Sequence, residues 1–298
     1  MSDRLRIVEV SPRDGLQSEP RILPVALKLE LINRLVAAGL REIEVTAFVR
    51  PERLPQLADA DELASLLKPS GTARYSALVP NKQGLERAAR TGIEHIAFFT
   101  AASESFCQKN IGCSIGQSLL RCQALHDQFR QQASGRFRAY ISCAFGCPYE
   151  GRMDTQRVVD VAVKLAELGS DEIVLADTIG VASPLMTRQL VKSVAEHIPV
   201  GQLALHLHDT RGQALANIYS CLDLGIAAVD ASVAGLGGCP YAPGATGNLA
   251  TEDLVYLLEG CGVATGVDLE CLIETGRFIS EQVQRPNQSR VGIAGVPF

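Results

Sequence analysis

Between Leu203 and Asn217 the chain reads LALHLHDTRGQALAN, and two of its five histidines fall in that stretch. On an extended strand the side chains alternate between faces, so His206 and His208 share one face with Ala204 while Leu203, Leu205 and Leu207 occupy the other. The leucine face calls for a cover of helices. Two imidazoles on the opposite face, at the end of a buried strand, suit a divalent metal, because neutral imidazole is a common ligand. The competing reading is that one or both are ordinary hydrogen-bonded core histidines; the shared face favours ligation. Asp209, Thr210, Gly212 and Gln213 then turn the chain into an apolar helix.

The elements that must position these groups repeat along the chain. Short apolar runs at 5–10, 42–48, 74–80, 95–101, 137–144, 172–178, 203–209 and 227–233 alternate with helical patterns at 25–38, 55–67, 82–90, 115–132, 155–168, 184–197, 212–224 and 249–259. A further helix is expected near 269–284, and the tail after Arg285 is expected to be loosely ordered. Gly39, Gly92, Gly169 and Gly225 stand where helices give way to strands, as C-terminal caps should. Eight such units over ~250 residues predict a (β/α)8 TIM barrel. An open doubly wound sheet is the alternative, but SPRDG after the first strand holds a single glycine instead of a phosphate-binding fingerprint. The expected architecture is one domain over residues 1–298, with the barrel over about 5–262 and a C-terminal helix and tail over about 263–298.

A barrel carries its chemistry where strands run into the following helices. Those ends hold Arg13 and Asp14, Glu44 and Thr46, Ser142 and Cys143, Asp177 and Thr178, the two histidines, and finally Cys239 and Asn248. Asp14, His206 and His208 supply one carboxylate and two imidazoles, a mixed set suited to Mg²⁺ or Mn²⁺ with positions left open. Asn248 is either a fourth ligand or the N-cap of the helix that follows. Arg13 is either half of a surface ion pair or a cation that steadies an enolate or carboxylate oxygen. Cys239 sits in AGLGGCPYAPGATGN, whose five glycines and two prolines suggest a mobile loop with an exposed, reactive thiol. Cys143 and Cys147 lack a matching second pair for zinc, and with Cys107, Cys113, Cys122, Cys221, Cys261 and Cys271 they are expected to be buried thiols.

Composition narrows the class. Of 298 residues 47% are apolar and 20% charged, which is the make-up of a soluble globular protein. A net charge of -5 without a basic run argues against a nucleic-acid partner. No apolar run reaches the ~20 residues that a bilayer requires, so no membrane association is expected. The polar start, the C-terminal Val296-Pro297-Phe298 and nine scattered cysteines point to a reducing, cytoplasmic setting.

The chain resembles the 3-hydroxy-3-methylglutaryl-CoA lyase family of the DRE-TIM metallolyase group over nearly its whole length. The resemblance rests on VSPRDGLQ, IEVTAFV, NIGCSI, YISCAFGCPYEG, ADTIGV, HLHDTRGQALAN and SVAGLGGCPYAPGATGNLATEDLVYLLEG. It implies a metal set of Asp14, His206, His208 and Asn248, with Arg13 polarising the thioester oxygen. It also implies a loop thiol at Cys239, acidic active-site positions at Glu44 and Asp177, and Gln17 beside Arg13 in binding substrate. The implied reaction is retro-Claisen cleavage to acetyl-CoA and acetoacetate, as in leucine degradation, with Mg²⁺ or Mn²⁺ and an acyl-CoA thioester substrate, in a homodimer. Asp14 would remove the hydroxyl proton, Arg13 steady the enolate and Cys239 protonate it. Pro20, Ala47, Val174, Gly112 and Arg211 depart from the family pattern, which leaves room for a related thioester such as citramalyl-CoA. A condensing enzyme of isopropylmalate synthase type and a catalytically silent acyl-CoA-binding barrel are the other classes considered; a metal-dependent turnover assay separates the latter.

Overall fold

The computed structural model describes residues 5–68, 71–238 and 247–296. Eight parallel strands close into a barrel: β1 (Arg6–Glu9), β2 (Glu42–Ala47), β3 (Arg74–Leu78), β4 (His95–Ala101), β5 (Phe137–Ser142), β6 (Glu172–Asp177), β7 (Leu203–Leu207) and β8 (Ala228–Ala231). The last strand pairs with the first in register Val8 to Asp230. Eleven helices among the described residues connect and flank them: α1 (Val25–Ala37), α2 (Ala60–Leu66), α3 (Lys82–Arg90), α4 (Glu104–Asn110), α5 (Ile115–Gln132), α6 (Thr155–Glu167), α7 (Pro184–Ala195), α8 (Ala214–Tyr219), α9 (Thr251–Gly260), α10 (Leu269–Val283) and α11 (Arg290–Ala294). None is long and apolar enough to cross a membrane among the described residues.

The strand periodicity sorts side chains into two layers. Leu203, Leu205 and Leu207 of β7 pack outward into the large apolar cluster shared with the helices, as do Ile43, Val45, Ile173 and Leu175. Each fully buried aliphatic side chain there is worth roughly 1.5–3 kcal/mol. Val8, Val10, Ala97, Tyr140, Val174, Ala204 and Ala228 form a smaller inner cluster. Alanines at several of these inward positions leave the barrel interior space for the charged groups described below.

Gly39, Gly92, Gly169 and Gly225 adopt positive φ at the expected cap positions. At Gly39 the constraint is steric as well, since a Cβ would stand 2.5 Å from the carbonyl oxygen of Gly266.

Several elements differ from the sequence reading. SPRDG, which has no helical pattern, is a turn of π-helix over Ser11–Gly15, closed by the Gly15 N–H donating to the Val10 carbonyl at 3.1 Å. The segment after β4 folds as α4, started by the Ser103 hydroxyl accepting from the Phe106 N–H; ESFCQKN has no apolar period to announce it. The expected helix at 55–67 divides into a 3₁₀ turn at Pro55–Leu57 and α2, and that at 212–224 shortens to α8 and a 3₁₀ turn at Leu222–Leu224.

The loosely ordered tail is a correction. Asp253 of α9 accepts from the Ser289 hydroxyl and the Val291 N–H at 2.7 Å each and from the Arg290 N–H at 3.1 Å, which anchors α11. Arg285 donates to Glu19 at 2.6 Å and to the Gly237 carbonyl at 2.8 Å. A tail without local propensity is thus ordered by partners far away in sequence. The cysteine reading is corrected in part: six described thiols are buried, but Cys261 is half-buried and Cys271 is exposed on α10.

Candidate active site

Three strand ends bring the site together. The π-turn after β1 carries Arg13 and Asp14, β7 carries His206, and His208 lies just past β7 in an isolated bridge to Asn248. His208 is held there by its N–H, which donates to the Asp177 carbonyl at 3.4 Å. One ligand atom from each of Asp14, His206 and His208 lies within 4.8 Å of the others, and all three residues are buried. The Oδ2 atom of Asp14 is 3.8 Å from His206 Nε2 and 4.0 Å from His208 Nε2. Those gaps are too long for hydrogen bonds and can be spanned by an ion bound at roughly 2.0–2.2 Å from each atom.

Asn248 completes the arrangement. Its Nδ2 donates to Asp14 Oδ2 at 2.8 Å and to the Leu236 carbonyl at 3.1 Å. Both amide hydrogens are thereby committed, and Oδ1 is buried without a hydrogen-bond partner. An acceptor in that state suits a cation. The N-cap alternative fails, because Ala250 occupies the cap of α9. Gly237, at φ +113°, allows the approach: a Cβ there would stand 2.7 Å from Asn248 Nδ2.

Electrostatics favour ligation. Burial would raise the Asp14 carboxyl, but the charge of Arg13, then the two imidazoles, hold it down at about 2. Burial, then His206, lowers His208 to about 4, so near neutrality it offers a lone pair. Oxygen and nitrogen donors without thiolate fit a divalent cation. The donor set therefore fits a divalent cation, as the sequence implied.

Arg13 bridges the buried carboxylates of Asp14 and Glu44, so it is no surface ion pair. Gln17 donates to Asp14 Oδ1 at 2.7 Å and lines a cavity of about 370 Å³ above the site. Arg13, Asp14, His206, His208, Phe99 and Tyr140 also face this cavity. Glu44 is wholly buried behind Arg13 and is absent from that lining. Asp177 does not join the cluster: its carboxylate accepts the N–H groups of Val181 at 3.0 Å and Ala182 at 2.8 Å. Burial raises its pKa against those donors. Ser142 and Thr178 reach the cavity, whereas the Cys143 N–H is tied to the Thr178 hydroxyl at 2.8 Å. Cys239 lies outside the described residues.

Three interior residues went unnoticed in the sequence: Arg138, Tyr140 and Asp230. Asp230 Oδ2 lies 3.2 Å from His206 Nδ1 and accepts from the Tyr140 hydroxyl at 2.7 Å, while its Oδ1 accepts from Arg138 at 2.8 Å. The available signal was an acid in the middle of the apolar run AAVDASV, in phase with the inward Ala228.

Comparison with known proteins accords with this geometry. The family model described as HMGL-like matches residues 4–279. The chain belongs to that family. A hydroxymethylglutaryl-CoA lyase from Pseudomonas mevalonii is 49% identical over 290 residues, covering 97% of this chain and 96% of the relative. The crystal structure of a hydroxymethylglutaryl-CoA lyase from Pseudomonas aeruginosa superimposes with TM-score 0.96 at 48% identity, covering 99% of this chain and 98% of the other. An HMG-CoA lyase from Acinetobacter baumannii, solved with coenzyme A and 3-methylmalate, gives TM-score 0.94 at 35% identity over 100% of this chain and 97% of its own. As a member of this lyase family the chain is a carbon–carbon lyase.

Proposed function

We propose that this protein cleaves 3-hydroxy-3-methylglutaryl-CoA to acetyl-CoA and acetoacetate with Mg²⁺ or Mn²⁺. The observation that carries the reading is the convergence of Asp14, His206, His208 and Asn248 beside the Arg13 guanidinium, at the open end of the barrel, in a chain of this family. A divalent ion bound there would supply Lewis acidity toward the substrate's tertiary hydroxyl. In the cleavage the hydroxyl proton leaves, its electron pair forms the ketone of acetoacetate, and the C2–C3 bond electrons pass to the thioester enolate. Arg13, held charged between Glu44 and Asp14, steadies that enolate oxygen. Glu44 orients Arg13, and Gln17 lines the cavity where the acyl group enters. Cys239, by family resemblance, delivers a proton to C2 and completes acetyl-CoA. Asp14, ionised and facing the cavity, would accept that hydroxyl proton as well as contribute to the ligand set. Asp177, with its carboxylate bound to the following turn, shapes the loop that holds His208.

The same reading places a CoA thioester in the cavity and the enzyme, as a homodimer, in the cytoplasm. Free thiols at the described cysteines suit a reducing compartment. Coupled acetyl-CoA release is the test, run on a panel of 3-hydroxyacyl-CoA thioesters before and after chelation. Turnover of 3-hydroxy-3-methylglutaryl-CoA should vanish on chelation and return with Mg²⁺ or Mn²⁺. A preference of about fivefold or more in kcat/KM for citramalyl-CoA, ~1 kcal/mol, would reject the substrate assignment. Full activity in metal-free protein would reject the site.

A further inference from the structure

We propose that Asp230 is a positioning residue that fixes His206 in one tautomer, with its Nε2 lone pair facing Asp14. The inference rests on the metal-site reading above and concerns how one ligand is prepared for it.

Asp230 and His206 are register partners on the adjacent parallel strands β8 and β7, both inward. Asp230 is 1% exposed, and its two oxygens take three partners: Arg138 on Oδ1, and Tyr140 and His206 on Oδ2. Arg138 and the Tyr140 hydroxyl both donate to Asp230, so the carboxylate is the acceptor at its 3.2 Å contact with His206 Nδ1, which carries the proton there. A neutral imidazole has a single N–H, which leaves Nε2 as a lone pair. The other side of the ring agrees. His206 Nε2 and Asp14 Oδ2 face each other at 3.8 Å, too far apart for a hydrogen bond between them.

Asp230 is itself held from below. Arg138 spans Asp230 and Glu172, the latter at 2.5 Å through its Nε, and Glu172 is also paired with Arg6 at the barrel floor. Arg138 further donates to the Tyr140 hydroxyl at 3.0 Å. His206 thus ends a chain of buried ion pairs that runs along the barrel interior. His208 has no such support: its Nδ1 is buried without a hydrogen-bond partner. The two imidazoles are therefore unequal, one preset by a carboxylate and one placed by its loop. Carboxylate-to-histidine contacts of this kind set ligand orientation and basicity in metal sites, and losing one typically costs 10–100-fold in affinity.

The first test is ¹⁵N NMR of imidazole-labelled, metal-free protein, with His206 assigned by comparison with His206→Gln. The unaltered protein should show His206 protonated at Nδ1; protonation at Nε2 would overturn the proposal, whether or not Asp230→Asn folds. In Asp230→Asn the single tautomer should give way to a mixture, and the Mn²⁺ dissociation constant measured by calorimetry should rise about 10–100-fold. An Asp230→Asn protein with a native-like spectrum and a Kd within about twofold of the parent would also overturn it. If the parent protein binds no Mn²⁺, the metal-site reading falls, while the tautomer measurement still decides the role of Asp230.

Discussion

Replacing Asp14 by asparagine keeps the side chain's shape and removes its charge, so the consequences for folding and for metal binding can be separated. In the metal-free protein the carboxyl stands at about 2 against an ordinary 3.8, burial being outweighed by Arg13 and then by the imidazoles. That difference is worth ~2 kcal/mol of folding free energy at neutral pH. A carboxyl whose pKa is depressed by folding stabilises the protein above its unfolded value, and the benefit is lost as pH falls through about 2. Asp14→Asn should therefore unfold ~2 kcal/mol more easily at pH 7, and the deficit should shrink as the pH drops below the ordinary 3.8. A domain stability of ~5–15 kcal/mol tolerates this loss, so the variant stays folded. Its affinity for Mn²⁺ should nevertheless fall by ~100-fold or more, because the set loses its anionic ligand, and activity should fall with it. Urea unfolding of metal-free protein, beside calorimetric titration with Mn²⁺, measures both quantities. A stability loss of ~5 kcal/mol would show that Asp14 serves mainly as a structural partner of Arg13. Parent-like metal affinity would remove it from the ligand set.

Cys239, Cys271 and Glu252 carry three more predictions. Cys239→Ala should lower kcat by ~10²–10⁴-fold with metal content unchanged, and turnover like the parent's would make the thiol a bystander. Alkylation tests of Cys239 need a Cys271→Ser background, because Cys271 is exposed; a hydrogen bond with Asp268 raises its pKa and should make it the slower thiol. Glu252 is lifted to about 8 by burial, with Glu9 and Asp253 adding to the effect against the backbone donors. Its contribution to stability is complete below the ordinary 4.5 and is lost as pH rises through about 8, so Glu252→Gln should gain on the parent between pH 5 and pH 9. Thermal melts at the two pH values that show a constant difference would refute this assignment.

The barrel was legible in the sequence because period-two and helical patterns are properties of the chain read locally. Asp14, His206 and His208 were legible for a related reason: strand ends converge in a closed barrel, so ligand-type residues at those ends are brought near one another. What lay beyond the sequence concerns partners. Asn248 could be read as a cap or a ligand; only the fold gave the cap to Ala250, committed the Asn248 amide hydrogens to Asp14 and Leu236 and left Oδ1 over. Glu44 and Asp177 were both acids at strand ends. Only the fold put one against Arg13 and turned the other into its own loop. Helix α11 exists because Asp253 waits beside it, not because RVGIA favours a helix. Asp230 is the sharpest case: its role depends on the register of β8 against β7 and on Arg138 and Tyr140 arriving from β5. Residue type and spacing determine which groups can reach the barrel mouth. Register and closure decide which hydrogen bonds each one makes, and so which lone pairs remain for a metal.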